Sequence, residues 1–208
     1  MFNRRLYLVI SEEACVGRDL ITVAKAAVKG GVDMIQLREK HLDTPAFLER
    51  ALRLKEALVP DRVPLIINDN LWVAQQSGAT GIHVGNSDIP PLGIKAQWPS
   101  CGILGYSIEY EKQIYTADAG ASDYLALSPI FATPTKTDTV TEWKLEGISK
   151  IRRLTDKPLV AIGAIHAGNA AAVIKAGADC LAIVSAICGA ADPEKAAAEI
   201  RLQIEKAL

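Results

Sequence analysis

Gln36, Arg38 and Lys40 occupy alternate positions, so on an extended segment an amide and two cations project from one side. Arginine grips phosphate oxygens through a planar fork and lysine adds a mobile point charge. Asn68-Asp69-Asn70 and Gly85-Asn86-Ser87-Asp88 place one carboxylate each just beyond two further apolar runs. Two carboxylates from neighbouring loops suit Mg²⁺, which takes one or two of them and completes its shell with water and phosphate oxygens. Plainer readings compete. The Arg-Glu-Lys stretch could be a solvated strand end, and either aspartate could cap a helix, since one begins at Leu71. His83 lies within an apolar run, where a lone histidine is usually a satisfied core residue; aimed into a mouth, it would hydrogen-bond a heteroaromatic ring.

Further polar groups follow other apolar runs. Gly105-Tyr106-Ser107 closes one, and the segment Ser128-Pro129-Ile130-Phe131-Ala132-Thr133-Pro134-Thr135-Lys136 follows another, with donors at Thr133, Thr135 and Lys136 that suit an anion. An ordinary polar surface loop is the alternative there. Ala161-Ile162-Gly163-Ala164-Ile165 and Val184-Ser185-Ala186-Ile187 each lead into a helix, whose first N–H groups attract phosphate.

The elements that must position these groups are eight short apolar runs separated by helical segments: Leu6–Ile10, Val32–Leu37, Leu65–Asn68, Gly81–Gly85, Ile103–Ser107, Tyr124–Ser128, Leu159–Gly163 and Cys180–Ser185. Near-continuous apolar strands indicate a parallel sheet buried on both faces. Segments such as Leu20–Lys29, Ala46–Leu58 and Ala167–Ala176 are rich in Ala and Leu, with charges on one side. Glycine-led motifs, Gly31-Val32-Asp33, Gly78-Ala79-Thr80-Gly81, Gly120-Ala121-Ser122-Asp123 and Gly177-Ala178-Asp179, precede runs two, four, six and eight. Glycine at a helix C-terminus takes a positive φ cheaply, so each motif is first a helix stop. Eight repeats predict a single (β/α)₈ TIM barrel over residues 1–208, with a doubly wound open sheet as the rival. In a barrel all the polar groups above open on one face, and two anion sites sharing one mouth suit an enzyme that handles a diphosphate and a monophosphate together.

Composition narrows the class. The 208 residues include 50% hydrophobic and 23% charged side chains, enough for a sizeable aliphatic core. A formal net charge of −1 argues against a nucleic-acid or membrane-surface partner, so any phosphate recognition is local. Cys15, Cys101, Cys180 and Cys188 form no C-x-x-C pair, and His41, His83 and His166 show no zinc spacing, so buried reduced thiols are expected. Without an apolar leader near Met1–Arg5, the expected location is the cytoplasm.

In combination the motifs resemble the thiamine-phosphate synthase family. Gln36-Leu37-Arg38-Glu39-Lys40, Ile67-Asn68-Asp69, Gly81-Ile82-His83-Val84-Gly85 with Asp88, Gly105-x-Ser107, Pro129-Ile130-Phe131-x-Thr133-x-Thr135-Lys136 and Val160-Ala161-Ile162-Gly163 stand in the family's order, in a match running from Leu6 to Ile187. The resemblance implies a transferase that couples an aminopyrimidine diphosphate to a thiazole phosphate, plain or carboxylated, with release of diphosphate. It assigns Arg38, Lys40, Asn68, Ser107 and Lys136 to the diphosphate, with Arg38, Ser107 and Lys136 as the catalytic groups, and Asp69 and Asp88 to Mg²⁺. Gln36 and His83 then face the pyrimidine, and Thr133, Thr135, Gly163, Ala164, Val184 and Ser185 the thiazole phosphate. Two positions depart from the pattern: Ala164 replaces the second glycine of Gly-Gly-Ile, and Glu109 stands where many members carry histidine. That histidine matters in the related thiazole tautomerases, so a tautomerase is the weaker enzyme reading. A silent thiazole- or phosphate-binding regulator is a third.

Overall fold

All eight apolar runs are strands in the computed structural model, which describes residues 2–132 and 141–208. They are β1 (Leu6–Ile10), β2 (Met34–Leu37), β3 (Leu65–Asn68), β4 (Gly81–Val84), β5 (Ile103–Ile108), β6 (Tyr124–Leu127), β7 (Leu159–Ile162) and β8 (Cys180–Ile183). Each pairs in parallel with the next, and β8 returns to β1, closing the barrel. The helices α1 (Leu20–Lys29), α2 (Thr44–Leu58), α3 (Leu71–Ser77), α4 (Pro91–Gln97), α5 (Ala117–Ala121), α6 (Lys144–Arg152), α7 (Ala167–Lys175), α8 (Ser185–Cys188) and α9 (Pro193–Glu205) fall between or after them. None of the described helices is long and apolar enough to cross a membrane.

The unbroken hydrophobicity of the strands has two destinations. Leu6, Leu8 and Ile10 point outward into the layer shared with the helices, while Tyr7 and Val9 point inward with Met34, Ile66, Tyr124, Ala126, Val160, Cys180 and Ala182. Because side chains alternate along a strand, both sets must be apolar for the sheet to be covered on its two sides. The four cysteines are buried and free.

The glycine-led motifs set the strand starts. Gly31, Gly78 and Gly177 have φ of +100°, +59° and +117°, the conformation expected of a helix stop. Gly120 departs from that expectation: it lies inside α5, which ends at Ala121 before an extended Ser122. The aspartates of these motifs do a second job at the strand N-termini. Asp33 accepts from the Leu6 N–H at 3.2 Å, Asp123 from Leu104 at 2.7 Å and Asp179 from Leu159 at 2.8 Å. Each carboxylate thus ties its own strand to the preceding member of the barrel, on the end away from the polar mouth.

Candidate active site

At the C-terminal ends of the strands a cavity of about 780 Å³ opens, lined among others by Gln36, Arg38, Lys40, Asp69, Asp88 and Ser107. Gln36, Arg38 and Lys40 all reach it, as their alternation requires. Glu39 faces the other way: its carboxylate accepts from Arg50 Nη1 of α2 at 2.7 Å and from the Glu12 N–H at 3.0 Å. The intervening residue therefore anchors the β2 loop to the outer helix while its neighbours serve the mouth. Among the described residues Arg38 forms no ion pair, which leaves its fork for an anion.

The helix-cap alternative for the two aspartates fails for a local reason. Asn70, not Asp69, caps α3, accepting from the Val73 N–H at 2.9 Å. Asp69 sits just before it at φ +61°, with its own N–H on the His83 carbonyl at 2.9 Å. Asp88 accepts from the Gly85 N–H at 2.8 Å, and α4 begins only after Pro90. Both carboxylates are thereby free to line the cavity from adjacent loops. Burial pushes the Asp88 carboxyl above its ordinary range; the neighbouring Asp69 pushes it further, against the Gly85 N–H and Lys40. Lys40 Nζ lies 2.5 Å from Asp69 Oδ2. Two adjoining hard oxygen donors are of the kind a divalent cation takes. No third His, Cys, Asp or Glu joins them among the described residues.

His83 settles between its two readings: it lines the cavity and both ring nitrogens are engaged, Nδ1 with the Tyr124 hydroxyl at 2.9 Å and Nε2 with Ser107 Oγ at 2.8 Å. The Tyr124 hydroxyl meets that of Tyr7 at 3.1 Å, and Gln36 Nε2 donates to Tyr7 at 2.7 Å. Burial holds both phenols well above their usual pKa, so they stay protonated. Neither tyrosine stood out as a functional candidate in the sequence. The available signal was a hydroxyl-bearing aromatic at an inward position of an aliphatic strand. Gly105 makes the arrangement possible: a β-carbon there would lie 2.2 Å from Tyr124 Cζ and 2.4 Å from His83 Nδ1.

On the opposite side Gly163, Ala164, Val184 and Ser185 line the same cavity. Gly163 has φ +119°, and a β-carbon on it would come within 2.6 Å of Pro129 Cβ. That close approach lets the Ile130 N–H reach the Ile162 carbonyl at 2.8 Å, docking the start of the β6 loop on the end of β7. Ala164 also has a positive φ, +50°. The first turn of α7 is occupied locally: His166 Nδ1 accepts from the Gly168 N–H at 3.1 Å. Buried Asn68 also lines the cavity, as does Glu109. Thr133, Thr135 and Lys136 lie outside the described residues.

Comparison with known proteins converges on one family. The family model described as thiamine monophosphate synthase matches residues 6–187. The thiamine-phosphate synthase of Albidiferax ferrireducens is 50% identical, covering 97% of this chain and 92% of that protein. That of Vibrio campbellii is 46% identical, with coverage of 95% and 96%. Among solved structures, the thiamine phosphate pyrophosphorylase from Pyrococcus furiosus superposes with a TM-score of 0.89 at 29% identity, covering 99% of this chain and 98% of that one. The chain is a transferase of the thiamine-phosphate synthase family, built as a closed (β/α)₈ barrel.

Proposed function

We propose that the whole chain, residues 1–208, is one catalytic domain that joins 4-amino-2-methyl-5-(diphosphooxymethyl)pyrimidine to a thiazole phosphate, giving thiamine phosphate and diphosphate in the cytoplasm. The observation that carries the site assignment is the gathering of Arg38, Lys40, Asp69, Asp88 and Ser107 on one side of the cavity and Gly163, Ala164, Val184 and Ser185 on the other. One half offers cations, a hydroxyl and a carboxylate pair to a diphosphate. The other offers backbone and hydroxyl donors to a monophosphate.

In this reading the methylene C–O bond breaks heterolytically and the diphosphate leaves with the electron pair. The pyrimidine delocalises the resulting cation, and the thiazole nitrogen closes the C–N bond with its lone pair. A carboxylated thiazole would lose carbon dioxide after coupling. Mg²⁺ bound at Asp69 and Asp88 would neutralise charge on the departing diphosphate. Arg38, Lys40, Asn68, Ser107 and Lys136 hold its oxygens, and Gln36 and His83 orient the ring. Thr133, Thr135, Gly163, Ala164, Val184 and Ser185 seat the thiazole phosphate. Catalysis is thus mostly positioning and preorganised electrostatics, with no covalent nucleophile.

The test is turnover by purified protein supplied with each substrate alone and with both. Product only with both substrates and Mg²⁺ supports the coupling reaction. Rearrangement of one phosphorylated thiazole without the pyrimidine would replace it with tautomerase chemistry.

A further inference from the structure

Five side chains from five strands form a continuous hydrogen-bonded series across the barrel: Gln36 to Tyr7 at 2.7 Å, Tyr7 to Tyr124 at 3.1 Å, Tyr124 to His83 at 2.9 Å and His83 to Ser107 at 2.8 Å. Both ends line the cavity. Tyr7 and His83 line it as well, although the two phenols are only 1% and 0% exposed. A phenol has one proton and donates one hydrogen bond. Among the described residues the Tyr7 hydroxyl meets only Gln36 and Tyr124, and the Tyr124 hydroxyl only Tyr7 and His83.

We propose that Tyr7 and Tyr124 are positioning residues that transmit hydrogen-bond polarity between Gln36 and Ser107, so that the amide orientation at one end fixes the His83 tautomer and the role of the serine at the other. The Gln36 amide nitrogen donates to Tyr7. Tyr7, having accepted, gives its proton to Tyr124, and Tyr124 gives its own to His83 Nδ1. The imidazole then carries its proton on Nε2 and donates to Ser107 Oγ. Ser107, having accepted in turn, directs its hydroxyl proton to the cavity. Gln36 keeps Oε1 as an acceptor. The two ends are complementary: an acceptor is offered to an amino group where Gln36 stands, and a donor to an anionic oxygen where Ser107 stands. Turning the amide over reverses every link and exchanges the two roles. That these ends meet the aminopyrimidine and its leaving group rests on the function proposed above; the series of bonds does not.

The experiment is ¹⁵N spectroscopy of the full-length chain labelled at histidine, without substrate, at a pH where the ring is neutral. His83 is assigned by its loss in a His83→Gln variant. The expected spectrum has a pyridine-type Nδ1 and a pyrrole-type Nε2. Tyr7→Phe keeps the ring but removes the link, so the signals should move toward a mixture of tautomers; Tyr124→Phe breaks the series one step further along and serves if the first variant misfolds. Gln36→Glu should switch His83 to the Nδ1–H form once the introduced carboxylate ionises, because a carboxylate only accepts. Adding Tyr7→Phe should abolish that switch. A wild-type Nδ1–H tautomer, or a response to Gln36→Glu that survives Tyr7→Phe undiminished, would overturn the proposal. Because no substrate is present, these spectra stand or fall separately from the activity assay.

Discussion

Lys40 Nζ and Asp69 Oδ2 lie 2.5 Å apart, which joins a cation assigned to the diphosphate with a carboxylate assigned to the metal. The pair sits at the rim, with 46% and 24% side-chain exposure, so its intrinsic worth is small, about 0–1 kcal/mol.

Removing that cation should therefore act in two opposite directions. Lys40→Met frees Asp69, and calorimetry should show Mg²⁺ binding to the protein alone tightened by up to about fivefold, the ceiling set by an exposed ion pair. The same variant should lose at least tenfold in kcat/KM for the pyrimidine diphosphate, since a charge-assisted contact is worth about 1.5–3 kcal/mol. Weaker Mg²⁺ binding would place Lys40 in a structural role instead.

Asp88 carries a cost that a neutral side chain should relieve. Burial and Asp69 raise its folded pKa, so as pH climbs through the carboxylate range the unfolded chain releases its proton first and the folded state loses stability relative to it. Asp88→Asn removes that loss while its amide oxygen can still accept from Gly85. Thermal unfolding without Mg²⁺ should show a higher Tm than wild type at neutral pH, and the gap should close in acid where Asp88 is protonated in both the folded and the unfolded chain. Stabilisation by Mg²⁺ should be reduced in the variant.

Ala164 and Gly163 share a positive φ but should answer substitution oppositely. At +50° a β-carbon is strained by about 1 kcal/mol, so Ala164→Gly should raise Tm by about 2–4 °C in a chain of this size. The backbone N–H stays where it is, and turnover should be kept. Gly163→Ala should do the reverse, because its new methyl would meet Pro129 Cβ at 2.6 Å and Ile130 N at 2.9 Å. Its Tm should fall, and the displaced β6 loop should raise KM for the thiazole phosphate.

At the other end of the barrel, stability and activity should separate. Asp123→Ala leaves the Leu104 N–H without its 2.7 Å acceptor, at a cost of about 1–3 kcal/mol. Denaturant unfolding should report that loss while kcat and KM per folded molecule remain near wild type, because the polar mouth lies at the opposite strand ends. A change in KM larger than the change in stability would contradict this division.

How much could be read in advance follows from how local each signal is. The strands were legible because a parallel barrel buries both faces, which makes Leu6–Ile10 or Leu159–Ile162 apolar throughout. Gln36, Arg38 and Lys40 were legible because alternation alone puts them on one side. Asp69 was ambiguous until its neighbour Asn70 proved to be the cap, a choice that depends on backbone angles rather than residue type. Gly120 is the last-but-one residue of α5 rather than the residue that stops it, and a glycine is tolerated there, so composition alone does not locate the stop. Tyr7 and Tyr124 were silent: they are 117 residues apart, and each alone reads as one more large apolar side chain in a core strand.

The most direct measurement of the central claim, that paired carboxylates support a magnesium-dependent departure of diphosphate, is to follow diphosphate and thiamine phosphate together across a Mg²⁺ titration in wild type and Asp69→Ala. Equal amounts of both products, rising with Mg²⁺ in wild type and lost in the variant, is the expected result. Turnover that ignores Mg²⁺, or that survives unchanged without the Asp69 carboxylate, would contradict it.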